Sequence, residues 1–304
     1  MSSKAHVYVV VPAFREATYF SAFVRSWEQV NDEYYRVVVV LVNGCPGDEL
    51  SKKISSYDGP LDVVEILGSP DLYWCGLVSL GLQFVVRNST PNDIVILANI
   101  DIKFDGNPLS AIFKRILSGD SIQATVLVAD SAGVLLSAGV LVRSWILSIN
   151  RHLMLGRSMH ETTDEWIEAT YLPTRLMVFP SVALKVAGLP NCDRLPHYCA
   201  DYEFSNRLRK NGYRALVYLG FVVRNDEKNS GFSTFTANSG LRKRISMVFN
   251  IKSSFNLRSR FWFVILTYPR WAIVPGLISH FSKLFIELLM GGERLKRVRL
   301  RGNN

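Results

Sequence analysis

VILANIDIKFD, residues 95–105, decides how this chain is read. Four apolar residues, Val95–Ala98, run into Asn99, then Asp101, then Asp105. A continuous apolar run of this length reads as a strand buried on both faces, the kind a parallel sheet uses. Such a strand ending in oxygen-bearing side chains has two readings. The oxygens hold a hard cation and a diphosphate, or they cap the strand and start a turn.

Upstream, apolar runs alternate with helical patterns. Val7–Val11, Val37–Val42, Asp62–Leu67 and Ile94–Ala98 read as strands. Residues 17–30 and Trp74–Arg87 read as helices between them, and Asn107-Pro108 reads as the cap and first residue of another. The alternation predicts an α/β fold with a mostly parallel central sheet covered by helices. Ser121–Val128, Ser137–Val142 and Arg175–Phe179 read as further strands. A helix is expected from near Asp201, stopping at Gly212.

Open parallel sheets bind ligands beyond the carboxyl ends of their strands. That rule gathers PAFRE (12–16), NGCPGD (43–48) and NID (99–101). No G-x-G-x-x-G follows the first strand, which disfavours a dinucleotide-dependent oxidoreductase. Mg²⁺ or Mn²⁺ at Asp101 could instead neutralise a diphosphate. The second cluster is LPHYCADYEFSNRLRKNGY, residues 195–213. At 100° per residue Asp201 falls near the buried side with Phe204 and Leu208, whereas Glu203 falls opposite, beside Arg207, on a solvated face. Asp201 is then a helix cap or a general base at a cleft. His197 reads as an acceptor-orienting group or a loop histidine, and Arg175 as a phosphate or acceptor contact or a structural ion pair. Trp74 reads as a ligand platform or a core residue.

Charge is divided unevenly. The net charge is +9, but residues 241–304 hold 13 Lys/Arg against Glu287 and Glu293. An anionic surface is the expected partner of that tail. Leu277, Ile278, Phe281, Leu284, Phe285, Leu288 and Leu289 fall at helical spacing. With RFWFVILTYPRW they suggest peripheral attachment to an anionic membrane; packing on the catalytic unit or on a second copy is the other reading. Pro269, Arg270 and Pro275 are expected to interrupt any spanning helix. Four cysteines without a C-x-x-C pair fit neither a zinc ribbon nor a disulfide framework, and suggest a cytoplasmic protein. MSSKAHVYVVVPAF reads as a strand, not a signal peptide. A non-catalytic nucleotide or polyanion-binding protein remains a reading, but no RNA-type aromatic motif accompanies the basic tail, so nucleic acid is not expected.

The order PAFRE, NG, LYWCGLVSLG, ILANIDIKF, ADYEFSNRLRKNGY resembles glycosyltransferase family 2, and most of all its rhamnosyltransferase-like members, over Val7–Asp226. The resemblance implies a GT-A fold in residues 1–226, with 1–106 holding the nucleotide sugar and 107–226 the acceptor, and 227–304 as a basic helical extension. It implies a UDP- or dTDP-sugar donor, a divalent metal, inversion at the anomeric carbon, and a glycan or lipid-linked glycan acceptor. By position, Pro12, Phe14, Glu16, Asn43 and Gly44 match the nucleotide-binding loops. Asp71, Trp74 and Gly76 match the segment that shapes the donor pocket, and Asn99 and Asp101 the metal-binding DxD. Asp201 matches the catalytic base and Glu203 the later acid of that motif. Four features depart from the pattern: Val42 and Ala200 replace acids, Asn99 replaces the first acid of DxD, and VVRNDEKNSG lacks the family's histidine, leaving Asn225 or Asp226 as its substitute or Arg224 as a direct phosphate contact.

Overall fold

The computed structural model describes residues 4–157, 163–225 and 240–290. Four strands make the parallel half of one large sheet: β1 (Ala5–Ala13), β2 (Tyr35–Asn43), β3 (Asp62–Leu67) and β4 (Ile94–Ala98). Their spatial order is β3-β2-β1-β4, so the chain winds outward from β1 and then returns to its other side. Val7 pairs with Val37 on one flank and Ile94 on the other. The strand order thus reverses between β1 and β4, and in open sheets of this kind ligands bind beyond the carboxyl ends of the strands at such a switch point. All five residues of β4 are buried, as a strand covered on both faces requires.

The second half of the sheet is mixed. β11 (Leu176–Pro180) lies antiparallel between β4 and β6 (Ile122–Ala129), and β12 (Arg214–Asn225) runs parallel to β6 on its far side. The short β5 (Ile102–Lys103) pairs antiparallel with the end of β12, Asn225 opposite Ile102. That pairing brings residue 225 beside residue 101. The single strand expected over 137–142 is divided. β7 (Leu135–Ser137) pairs with β6, and β8 (Gly139–Ser144) pairs with β9 (Ile149–Leu153) in a separate ribbon. The edge strand β10 (Trp166–Glu168) pairs with β12.

Helices cover both faces. On one, Phe23 and Trp27 of α1 (Phe20–Glu28), Leu50 of α2 (Glu49–Ser55) and Phe113 of α4 (Ser110–Leu117) pack with the inner residues of β1 and β4. On the other, Val78, Leu82 and Val85 of α3 (Tyr73–Asn88), α5 (Ala183–Ala187) and α6 (Ala200–Lys210) do the same. Helix α3 approaches β1 closely. A Cβ on Gly81 would fall 2.4 Å from Val10 Cγ1, so no larger residue fits without moving the helix. Asn107 does not cap α4. Its side chain accepts the Leu109 N–H (3.1 Å) in a turn before the helix, which begins at Ser110.

The extension comprises α7 (Leu241–Phe249), α8 (Leu257–Thr267) and α9 (Ile273–Met290). It docks on the sheet domain through a third apolar cluster in which Phe263, Val264 and Tyr268 meet Cys75, Leu195 and Ala200. Asn206 Nδ2 donates to the Thr267 carbonyl (3.2 Å), and Arg258 to that of Asp193 (2.6 Å). Arg260 and Glu287 pair between α8 and α9. The expected interruption at Pro275 does not occur, because a proline in the first turn of a helix removes no internal hydrogen bond. Residues Arg270–Leu289 are therefore long and apolar enough, by length and composition, to cross a membrane. Leu284 is buried, but Trp271, Val274, Ile278, Phe285 and Leu289 are exposed. The basic run after residue 290 lies outside the described residues.

Candidate active site

Three loops are stitched side by side at the carboxyl ends of the parallel strands. The Gly44 N–H donates to the Ala13 carbonyl (2.8 Å), and the Gly68 N–H to that of Asn43 (2.8 Å). Gly44 is closely packed here: a Cβ would come within 3.1 Å of Leu77 Cδ1, which would have to shift slightly. Pro12, opposite Val42, ends the pairing of β1 with β2 at Ala13. Asn43 is fully buried, and its amide is taken up inside the second loop. Nδ2 lies 3.0–3.1 Å from Asp48, Ser51 and Glu65, and Oδ1 accepts the Cys45 N–H. What Asn43 offers a ligand is the shape of its loop. Phe14 stands exposed at the mouth, and the Glu16 carboxylate accepts the Phe14 N–H (3.2 Å). Burial pushes the Glu16 carboxyl up to about 7, and the charge of Asp101 adds to the shift.

The charge of Asp101 acts on Glu16, so two carboxyl groups lie close enough for a cation between them to be favourable. Asp101 is buried and its Oδ2 accepts from Asn225 Nδ2 (2.9 Å). Asn225 Oδ1 is buried without a hydrogen-bond partner among the described residues. Oxygen donors of this kind suit Mg²⁺ or Mn²⁺, which take one or two carboxylates and draw remaining ligands from phosphate and water. Among the described residues no three His, Cys, Asp or Glu side chains gather as a cage. The donor set thus fits a weakly held metal completed by its substrate, not a preformed metal centre. Asp226 lies outside the described residues; Arg224 is exposed, next to Asn225 on β12.

Across from these loops lies the start of α6. Asp201 is half-buried at the second position of the helix, whose cap is Cys199, not Asp201. Burial raises its carboxyl to about 6, against the opposing pull of the Tyr202 and Asp201 backbone N–H groups and the charge of Arg175. Arg175 connects the two clusters. Its carbonyl accepts the Asn99 N–H (3.1 Å), while its guanidinium acts on Asp201. Phe204 and Leu208 are buried as expected, and Gly212 ends the helix in the left-handed region with φ +96°.

Glu203 corrects the helical-wheel reading. It is 5% exposed, not solvated, and both its oxygens take Arg207 at 3.0 Å. Arg207 also donates to the Ala187 and Leu189 carbonyls. Helix α5 and the loop after it cover a face that an isolated helix would leave wet. Glu203 therefore braces Arg207 against α5 and the loop after it.

His197 is held neutral. Burial, with a smaller contribution from the Lys252 charge, lowers it to about 4, and its Nδ1 is buried without a hydrogen-bond partner among the described residues. Its ring lies 6.3 Å from that of Tyr73. Trp74 is half-buried and packs against two of the apolar clusters, while Asp71 is exposed in the 3₁₀ turn Pro70–Leu72. A Cβ on Gly76 would reach within 2.9 Å of Leu72 Cβ, which locks that turn onto α3. The Cys75 N–H donates to the Pro196 carbonyl (3.1 Å), so the donor segment and the loop leading to Asp201 are one unit.

Several residues of this region escape sequence reasoning. Arg15, Tyr73 and Cys199 are non-glycine residues with φ between +50° and +66°, one at each loop of the site. Strained backbone collects at functional sites. Lys252, from the α7–α8 linker, reaches Phe14 and Tyr73. Cys192 Sγ lies 2.9 Å from Cys75 Sγ and 3.0 Å from Ser79 Oγ, and hydrogen bonding from Cys75 lowers its thiol to about 7. No local pattern announces any of these, because each depends on a partner far away in the chain.

No family model and no curated protein matches the chain. Solved structures are similar. The crystal structure of GalNAc-T7 with UDP, GalNAc and Mn²⁺ aligns over 95% of this chain and 55% of its own, with a TM-score of 0.56 and 15% identity. S. aureus TarS 1-349 in complex with UDP aligns over 91% and 72%, with a TM-score of 0.55 and 12% identity. The mannosyltransferase PcManGT from Pyrobaculum calidifontis, in complex with GDP-Man and Mn²⁺, aligns over 99% and 80%, with a TM-score of 0.51 and 14% identity. The chain thus spans little more than half the length of the first of these. What they share with it is the fold: a parallel half, a mixed second half and a C-terminal helical extension are consistent with a GT-A architecture.

Proposed function

We propose that this chain is an inverting glycosyltransferase that moves a sugar from a UDP- or dTDP-sugar to a hydroxyl of a glycan or lipid-linked glycan. The observation that carries the reading is Arg175. Its backbone joins Asn99 of the NID segment and its charge acts on Asp201, which supports a reading in which the strand-end acid and the helix-start acid serve one site. The similar structures hold UDP or GDP-mannose, two of them with Mn²⁺, which supports a nucleotide-sugar donor.

In this reading the loops ending β1 and β2 hold the nucleotide, through Pro12, Phe14, Glu16, Asn43 and Gly44. Asp71, Trp74 and Gly76 shape the wall beside the sugar. Asp201 takes the proton of the acceptor hydroxyl as its oxygen bonds to the anomeric carbon. The bond from that carbon to the diphosphate oxygen breaks on the opposite face, and the diphosphate leaves with the electron pair. A carboxylate with a pKa of about 6 is ionised at neutral pH yet basic enough to receive that proton. Asp101, with Asn225 and Asn99 beside it, would hold Mg²⁺ or Mn²⁺, which offsets the charge on the departing diphosphate.

The exposed stripe of α9 and the basic composition of residues 241–304 support attachment to the inner face of a membrane, where a lipid-linked acceptor is reached. The test of the central reading is a panel of nucleotide sugars assayed for binding and for release of nucleoside diphosphate with an acceptor mixture. Binding of one donor and metal-stimulated release support it; no binding by any member would remove it.

A further inference from the structure

The donor loops have a neighbour from the far end of the chain. Lys252 Nζ lies 5.6 Å from the ring centroid of Phe14 and 5.9 Å from that of Tyr73. Arg15 Cζ lies 5.3 Å from the same Phe14 ring. Two cations thus converge on one exposed ring at the mouth of the nucleotide loop. Among the described residues neither forms an ion pair. The aromatic face attracts each of them weakly.

The placement of Lys252 is built, not incidental. Its N–H donates to Asn250 Oδ1 (2.9 Å), and the Ser253 N–H to the Asn250 carbonyl (3.0 Å). The Phe255 N–H donates to Ser253 Oγ, and Asn256 Oδ1 caps α8 through the Ser259 N–H. This hydrogen-bonded linker carries Lys252 toward the site from a docked helix pair. Nearby His197 is held neutral, partly by the Lys252 charge, so it adds no third cation.

We propose that Lys252 and Arg15 form a cationic clamp on the diphosphate of the bound nucleotide sugar, so that the C-terminal extension completes the donor site. This rests on the nucleotide-sugar reading above and adds to it. Among the described residues no three His, Cys, Asp or Glu side chains gather around Asp101, so fixed side-chain charges would share the work of stabilising the leaving diphosphate.

The test is calorimetric titration of the full chain with UDP, dTDP, GDP, UMP and inorganic pyrophosphate, in EDTA and in Mn²⁺. Wild type is compared with K252Q, K252R and R15Q. Lys252 is exposed, and thermal melts of the variants verify that they fold. K252Q is expected to weaken the preferred nucleoside diphosphate about tenfold, the scale of one charge-assisted hydrogen bond. UMP should change far less, K252R should retain most of the affinity, and the salt dependence should flatten. Nucleoside diphosphate affinity unchanged in K252Q overturns the clamp. So does a loss confined to anionic vesicle binding, which would assign Lys252 to a lipid headgroup. Wild type that binds no nucleotide at all removes the donor reading itself, a result distinct from wild-type binding to which residue 252 is indifferent.

Discussion

Replacing Asp201 with Asn should abolish turnover and, at alkaline pH, stabilise the fold. Both effects follow from one number. The Asp201 carboxyl has an ordinary value of 3.8 and is raised to about 6 in the folded chain, chiefly by burial. The folded state therefore holds this proton more tightly than the unfolded chain. The stability this confers is full below about pH 3.8 and is lost as pH rises through about 6. Above that the ionised carboxylate costs up to about 3 kcal/mol, at 1.36 kcal/mol per pKa unit. Asn carries no charge and can still accept the backbone N–H groups. Urea unfolding at pH 8 should show D201N more stable than wild type by up to that amount, with the difference vanishing near pH 4. In the activity assay, wild-type kcat/KM should fall about tenfold per unit below pH 6. D201N should lose a factor of roughly 10²–10⁴, the usual worth of a general base, together with the acid limb. An acid limb centred on the ordinary Asp value, or a D201N variant with near-normal turnover, would refute the assignment of the base. Unchanged stability at pH 8 would refute the burial argument beneath it.

Asp101→Ala should remove the Mn²⁺ dependence of nucleoside diphosphate binding, read by calorimetry with and without EDTA; equal metal dependence in both proteins counts against Asp101 as the ligand. Glu203→Ala leaves Arg207 half-buried against two carbonyls without its carboxylate. It should cost about 3 kcal/mol in urea unfolding, the scale of breaking a buried ion pair, with the nucleotide affinity of the folded fraction preserved. Among the four thiols, Cys192 should be alkylated first, with a rate inflection near pH 7, and Cys75→Ser should move that inflection. Ile278→Glu with Phe285→Glu, both exposed on α9, should abolish flotation with anionic vesicles without lowering the melting temperature. If the variant instead changes only the mass in sedimentation, the stripe joins two copies of the chain.

Three of the four strands of the parallel half were legible because each holds an uninterrupted apolar run; the edge strand Asp62–Leu67 carries Glu65 and is only half-buried. Two-sided burial leaves no polar position inside such a strand, so composition and length suffice. Asp62–Leu67 and Ile94–Ala98 appear with the expected bounds. The middle of the chain was less legible. Nothing local tells Ala138 to leave one sheet for another, or tells β11 to run antiparallel between two strands remote from it in sequence. The site divides in the same way. Its acids could be placed at strand ends and at a helix start, but the wheel reading of Glu203 failed. It assumed that the face bearing Arg207 met water, where α5 and its following loop in fact sit.

By itself the sequence determined the alternation of strand and helix, the mostly parallel sheet, and the placing of PAFRE, NGCPGD and NID at strand ends. These follow from hydrophobic period and chain order, which act within a few residues. Tertiary structure alone decided the rest: Asn225 beside Asp101, Arg175 joined to Asn99 and acting on Asp201, the proton affinity of Asp201, and Lys252 over Phe14. Each of these depends on desolvation or charge supplied by residues dozens to hundreds of positions away, and no local pattern carries that information.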